Sequence, residues 1–454
     1  MSAITPDTSA LSESERSALR KAAISSFIGN FVEWFDYAAY GYLAAVIATV
    51  FFPSADKTVG LIAAYAVFAI SFIIRPIGGI IWGQWGDRYG RRITLSWSIL
   101  IMSGATFCIA FLPTYQQAGI VAPLLLLLIR LVQGFSASGE YAGASAFLAE
   151  YAPAHQRGLY TSLVPASTAS GLLLGSLMVA LMHTVLTEAQ LHSWGWRLPF
   201  LLAAPFGLVG RYIRLHLEDT PVFREMEARM DKQEEKLPIT RLVTNYRREI
   251  LIACGTVALN AVAFYTTLSY MPTYLSEELG MSESASFTAS SVSLLSYIGF
   301  IFMMGHLSDK YGRKTLLTGA CIAFALLSVP LFMLLETQAF MWILFVMVVF
   351  GAILAMNDGT LPSFLTEIFP TSLRFSGFAF CFNLGNALLG GTAPLVATTL
   401  IYETGNKLAP AWYLAAIAVV ALIAIMFSRE TANKELLREE TVLPENAQHG
   451  SRTE

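Results

Sequence analysis

Apolar residues in this chain come in runs of about twenty, broken by short polar turns, and that spacing points to one fold class. A run of roughly 20 apolar residues is the length a helix needs to cross the hydrocarbon core of a bilayer. Lipid offers no partners to backbone N–H and C=O groups, so such runs must be helical. Alternating strands of about ten residues, the signature of an outer-membrane barrel, are absent. Twelve spans are predicted, over 22–50, 60–82, 93–112, 120–148, 159–184, 197–216, 250–275, 286–306, 315–336, 340–366, 374–401 and 409–428. Turn residues punctuate them, among them Pro53, Gly86, Pro113, Pro153, Gly195, Pro238, Gly280, Gly312, Pro370 and Gly405.

Composition agrees with the pattern. Of 454 residues, 55% are hydrophobic and 13% charged, and the mean hydropathy is +0.57. A soluble domain carries about a quarter charged residues, so most of this chain cannot present a water-facing surface. The expected class is an all-α integral membrane protein. The net charge of −3 gives no reason to expect nucleic acid as a partner. Cys108, Cys254, Cys321 and Cys381 lie inside apolar segments without CxxC spacing, which suits small buried hydrophobes; no metal or other cofactor is expected. The first segments are polar through Ser17, and no cleaved signal peptide is expected.

Positive charge orients the spans. With the N-terminal tail on one side, 24 of the 29 Lys and Arg fall on that side, three (Lys57, Arg197, Lys407) on the other, and Arg75 and Arg130 within spans. Basic loops stay cytoplasmic, so both termini and the central loop are expected in the cytoplasm and the chain in a plasma (inner) membrane, surrounded by lipid. The expected organisation is a tail over 1–21, a six-helix bundle over 22–214, a linker over 215–248 with a charged helical run over 224–236, a second bundle over 249–428 and a tail over 429–454.

A charged decapeptide recurs: Gly83–Arg92 reads GQWGDRYGRR, and Gly305–Lys314 reads GHLSDKYGRK. A second landmark also recurs. Phe147-Leu148-Ala149-Glu150-Tyr151-Ala152-Pro153, followed by Arg157, parallels Phe364-Leu365-Thr366-Glu367-Ile368-Phe369-Pro370, followed by Arg374. Two matched landmarks in one order imply two homologous bundles. In the turn, Gly86 and Gly90 suit positions where side chains would clash or φ is positive, and Gly83 is grouped with them in the expected cytoplasmic gate. Asp87 can face a helix N-terminus, and Arg88 and Arg91 are free to pair with carboxylates, Glu150 being the candidate for Arg91. Asp309, Arg313 and Glu367 hold the equivalent positions. Bonds of this kind would close the cytoplasmic side.

Ionisable groups at bilayer depth cost about 2.5–3.5 kcal/mol on insertion scales and are mostly functional. The first span carries Glu33 and Asp36, three apart and therefore on one helix face. Arg75, Arg130, Glu140 and Asp358 lie in the second, fourth and tenth spans. Aromatic residues crowd the first and seventh, including Trp34, Tyr37, Tyr40, Phe264 and Tyr265. Arginine suits a carboxylate, aromatic faces suit a quaternary ammonium, and Glu140 would offset a cationic group.

On these residues the chain resembles the major facilitator superfamily across essentially its whole length. It is more narrowly similar to the metabolite:proton symporters, through Gly29–Asp36, Arg75–Gly79, Gln133–Tyr141 and Trp194–Phe200. The resemblance implies two six-helix bundles, alternating access and proton coupling. It also implies that Arg130, in the motif Arg130-Leu131-Val132-Gln133-Gly134, pairs with Asp36 as the coupling site, with Glu33 as the competitor. Members of this family carry proline and betaines, α-ketoglutarate, citrate or shikimate. Tyr270–Ser276 and Glu218–Phe223 are similar to the proline/betaine branch, which implies a zwitterion as solute and an organic mono- or dicarboxylate as the runner-up. The stretch after Arg429 shows no sustained heptads, so gating by a coiled coil is not expected. A monomer, not an enzyme, is expected: HExxH, GxSxG and P-loop motifs are all absent. A non-transporting receptor on the same scaffold is the alternative from another class.

Overall fold

A computed structural model describes residues 13–53, 57–216, 218–220, 222–225 and 238–436. Most of the charged linker run, together with 1–12 and 437–454, lies outside the described residues. Among the described residues the chain is entirely helical. The twelve principal segments are α1 (Glu13–Tyr42, continued by Ala44–Phe51), α2 (Lys57–Ile73 and Arg75–Tyr89), α3 (Arg91–Ile109), α4 (Val121–Tyr151), α5 (Ala154–Val185), α6 (Gly195–Leu215), α7 (Arg247–Glu278), α8 (Ala285–Tyr311), α9 (Arg313–Glu336), α10 (Phe340–Glu367), α11 (Thr371–Thr404) and α12 (Ala409–Met426).

Ten of these are each long and apolar enough to cross a membrane, and the two parts of α1 make an eleventh across a 70° bend. The first span is therefore broken at Leu43 rather than straight. α2 is divided at Ile74, just before Pro76, whose missing N–H and ring disfavour an unbroken helix. α7 and α11 carry π-helical turns at Tyr265–Tyr270 and Asn386–Gly390. Such turns redirect side chains and gather at functional sites.

Packing follows the repeat. α1 lies on α5 and α6, and α3 on α4 and α6; in the other half α8 lies on α10, and α9 on α12. The halves meet where α2 packs on α11 and α5 on α8. Small residues let α2 approach closely: a Cβ on Gly83 would sit 2.6 Å from the Ser376 Cα of α11. Apolar side chains such as Leu251, Leu326 and Met341 face outward, as expected of a surface that meets lipid. The buried charges are gathered at two levels. One is the end of the bundle that carries both glycine-arginine turns, the basic face; the other is the interior.

Candidate functional site

At the basic face, Gly90 and Gly312 adopt φ of 99° and 101°, which only glycine enters freely, and so turn α2 into α3 and α8 into α9. The acids of the two turns reach across the molecule. Asp87 accepts from the backbone N–H groups of Phe375 (3.1 Å) and Ser376 (2.8 Å) at the start of α11. Asp309 accepts from those of Gly158 (2.7 Å) and Leu159 (2.9 Å) at the start of α5. Each carboxylate thus caps a helix of the opposite half, where orphan N–H groups and the helix dipole favour an anion.

The arginines complete a reciprocal network. Arg91 donates to Glu150 (3.2 Å) and to the carbonyl of Thr371 (2.6 Å), while Arg374 from the other half donates to the same Glu150 (2.6 Å). Its mirror is Arg313 donating to Glu367 (3.1 and 3.2 Å) and Arg157 donating to Glu367 (3.0 Å). All six of these side chains are almost fully buried. Arg88 does not join: it is exposed, with its guanidinium over the Tyr89 ring.

Two pairs of residues in this network were not among the gate residues expected from sequence. Asp219 accepts from the N–H groups of Arg91 (3.2 Å) and Arg92 (3.3 Å), and Thr220 donates to Glu150. Glu430 accepts from the N–H groups of Arg313 (2.9 Å) and Lys314 (3.1 Å), and Thr431 donates to Glu367 (2.6 Å). An acid-threonine pair after the last helix of each half is therefore a third repeat. It is visible as Asp219-Thr220 and Glu430-Thr431, but two residues are too few to stand out without the contacts. Burial pushes the Asp219 carboxyl above its ordinary value, against the pull of Thr220 N–H and Arg91.

In the interior, Asp36 accepts from Arg130 at 2.7 Å and Glu33 from Arg75 at 2.8 Å. Spacing of three along α1 turns both carboxylates inward, and α2 and α4 supply the cations. Arg130 also lies over the Tyr40 ring (3.8 Å), and Tyr40 donates to the Ala64 carbonyl (3.0 Å). Arg75 is sandwiched near the rings of Phe72 (4.6 Å) and Tyr37 (5.0 Å). It is 3% exposed, so it does not snorkel to an interface. Neither pair saturates its partners. Glu33 Oε2, Asp36 Oδ1, Arg75 Nε, and Arg130 Nε and Nη2 are buried without a hydrogen-bond partner among the described residues. Buried charged atoms left in that state are costly.

Beside these atoms the aromatic residues of the two halves meet. Trp34 packs edge-on to Phe264 (5.4 Å), and Phe72 edge-on to Tyr265 (6.1 Å). The indole N–H of Trp34 and the hydroxyl of Tyr265 are buried and also lack a partner among the described residues. The π-helical turn starting at Tyr265 brings two adjacent rings, Phe264 and Tyr265, to the junction. Other aromatics go elsewhere: Phe35 packs on Phe206, Tyr42 is exposed, and Tyr274 donates to the Lys407 carbonyl.

Glu140 is not free to meet a cationic solute. Both of its oxygens accept from Arg214 of α6, with Ser98 at 3.4 Å, and Arg214 also donates to the carbonyls of Leu95 and Ser25. The charge pattern groups Arg214 with the basic side rather than with Arg75 and Arg130 inside the spans. At 1% exposure it makes a third arginine pair in the interior, beside Arg75–Glu33 and Arg130–Asp36. Its position inside the expected sixth span was the available signal. In the second half Asp358 is held by Asn260 (2.6 Å) and Tyr297 (2.7 Å).

The family model of the Major Facilitator Superfamily matches residues 26–394. The glycine betaine/proline/ectoine/pipecolic acid transporter OusA of Dickeya dadantii is 40% identical, over 92% of this chain and 85% of its own. The proline/betaine transporter of Escherichia coli is 39% identical over the same shares. A putative proline/betaine transporter of Staphylococcus aureus is 36% identical over 92% of this chain and 90% of its own. Among solved structures, the proton:xylose symporter XylE bound to 6-bromo-6-deoxy-D-glucose superposes with a TM-score of 0.80 at 18% identity, over 93% and 98% of the two chains. An inward-open XylE from E. coli superposes at 0.66 with 19% identity, over 94% and 100%.

Proposed function

The chain belongs to the major facilitator superfamily, and on that premise we propose that it is a proton-coupled symporter importing a small zwitterion such as proline or glycine betaine. The observation that carries the reading is the pair of half-satisfied ion pairs, Arg75–Glu33 and Arg130–Asp36, set beside aromatic rings where the halves meet. Arg75 suits the solute carboxylate and the rings of Trp34, Phe264 and Tyr265 suit its cationic end. The substrates for which the relatives are named agree with this class.

Asp36 is the proposed proton acceptor. Protonation would remove the charge that holds Arg130, and the carboxylate of the solute would compete with Glu33 for Arg75. Both events loosen α1 from α2 and α4. The basic-face network is the proposed gate, closed in the arrangement described here, and the two halves rock when its reciprocal bonds break. Its net strength must stay within a few kcal/mol, or the states would not interchange. The charge distribution supports a cytoplasmic basic face with both termini inside, in a plasma membrane. One chain supplies both halves, so a monomer suffices. No role as an enzyme is assigned.

Uptake into proteoliposomes with an imposed pH gradient tests the reading. Proline, betaine, α-ketoglutarate, citrate and shikimate form the panel. Gradient-dependent accumulation of proline or betaine is expected. Preference for an organic acid would move the assignment to the runner-up class, and no flux for any solute would favour the receptor reading.

A further inference from the structure

We propose that Asp358 is a second proton-binding carboxyl, carried by the C-terminal half and separate from the Asp36–Arg130 pair. Asp358 is 1% exposed near the end of the long helical stretch Phe340–Asp358. Every other interior carboxylate described above faces a guanidinium. Asp358 has none: among the described residues no Lys, Arg or His lies within ion-pair distance of it, and its partners are the amide of Asn260 at 2.6 Å and the hydroxyl of Tyr297 at 2.7 Å. A permanently charged carboxylate in that setting would lack the opposite charge that buried ions require.

The geometry accepts both protonation states without moving a heavy atom. With Asp358 charged, Tyr297 donates to Oδ2. With a proton on Oδ2, the acid donates and the phenol oxygen accepts, because a hydroxyl does either. A separation of 2.7 Å suits an O–H···O bond in both directions. Asn260 donates to Oδ1 throughout, as carboxylate or acid carbonyl. Glu140 differs: both of its oxygens accept from the Arg214 guanidinium, which can only donate, an arrangement that suits the anion alone. The titratable groups in electrostatic reach of Asp358 are Tyr297 on α8 and Tyr141 on α4. α7 adds the neutral Asn260, and the charges of α9 sit at its ends, Arg313 and Lys314 on one side and Glu336 on the other.

The assignment needs the transport reading only for its role in a cycle; proton binding itself is tested directly. Infrared difference spectra of the full-length protein in lipid, between acidic and alkaline buffer, report protonated carboxyls by their C=O stretch. A titrating band is expected that is retained in Asp36→Asn, lost in Asp358→Asn and shifted in Tyr297→Phe. Identical spectra for wild type and Asp358→Asn would overturn the proposal. Should Asp358→Asn fail to insert, Tyr297→Phe carries the test, and an unshifted spectrum there overturns it. Absence of gradient-driven uptake by the wild-type protein would sink the transport reading and leave the infrared assignment standing.

Discussion

At the basic face the two halves carry nearly the same chemistry, residue for residue; in the interior they do not. Asp87 and Asp309 each cap a helix of the opposite half, and Glu150 and Glu367 each gather an arginine from both halves. Inside, the first half holds Asp36, Glu33 and Glu140 on arginines, whereas the second has Asp358 on two neutral donors. At the face both oxygens of Asp87, Asp309, Glu150 and Glu367 accept bonds, although Arg91 Nε and Arg374 Nη2 lack a partner among the described residues, whereas inside Glu33 Oε2 and Asp36 Oδ1 are carboxylate oxygens without one. A gate that two halves operate by rocking needs bonds that cross reciprocally, so a duplicated gene retains both copies. A solute and a proton have no such symmetry, and the sites proposed for them are freed from the repeat.

The largest effects should come from breaking the symmetric level. Glu150→Ala leaves the Arg91 and Arg374 guanidinium groups buried without their shared carboxylate, a loss of about 3–5 kcal/mol. Uptake should vanish and thermal stability in detergent should fall, and Glu367→Ala should match it closely. Normal uptake in one variant alone would show that the two copies are not equivalent. Next, Asp36→Asn should abolish accumulation against a gradient while solute exchange persists. Continued accumulation would remove Asp36 from the coupling role.

Gly83→Val would force a side chain into the Ser376 backbone, where even a Cβ has 2.6 Å. The basic face should open. Spin labels at Arg88→Cys and Lys310→Cys, both exposed, should then report a longer distance. Arg75→Lys keeps the charge but loses the planar fork, so KM for proline or betaine should rise roughly 10–100-fold with little change in insertion. The smallest effect belongs to Arg88→Ala. Exposed and outside the network, it should leave uptake near wild type, in contrast to Arg91→Ala three positions along the same motif.

Much of the fold was legible because membrane helices are set by local composition: apolar length, turn residues and basic loops need no tertiary contact to be read. The repeat was legible because ten residues recur almost intact. The site was legible in part. Asp36 with Arg130 and Arg91 with Glu150 were named as pairs and are in contact, the first through a resemblance and the second through matched landmarks. Glu33 with Arg75 was not, since nothing in two separated spans says which acid faces which base. Arg88 and Arg91 are chemically identical in the sequence, and only the helix rotation after Gly90 buries one and exposes the other. Glu140 looked free because its partner Arg214 stood at the end of a span and passed for a loop charge.

By itself the sequence determined that this chain is a twelve-span, two-bundle membrane protein with a repeated charged turn, because hydrophobic length and internal repetition are properties of the chain read along its own axis. Only the tertiary structure decided which charges meet. It put Arg214 on Glu140, joined Asp219-Thr220 and Glu430-Thr431 to the two turns, and left Asp358 with Asn260 and Tyr297 as its neutral donors. Those pairings depend on how helices distant in sequence rotate and pack, and periodicity within one helix carries no record of its neighbour.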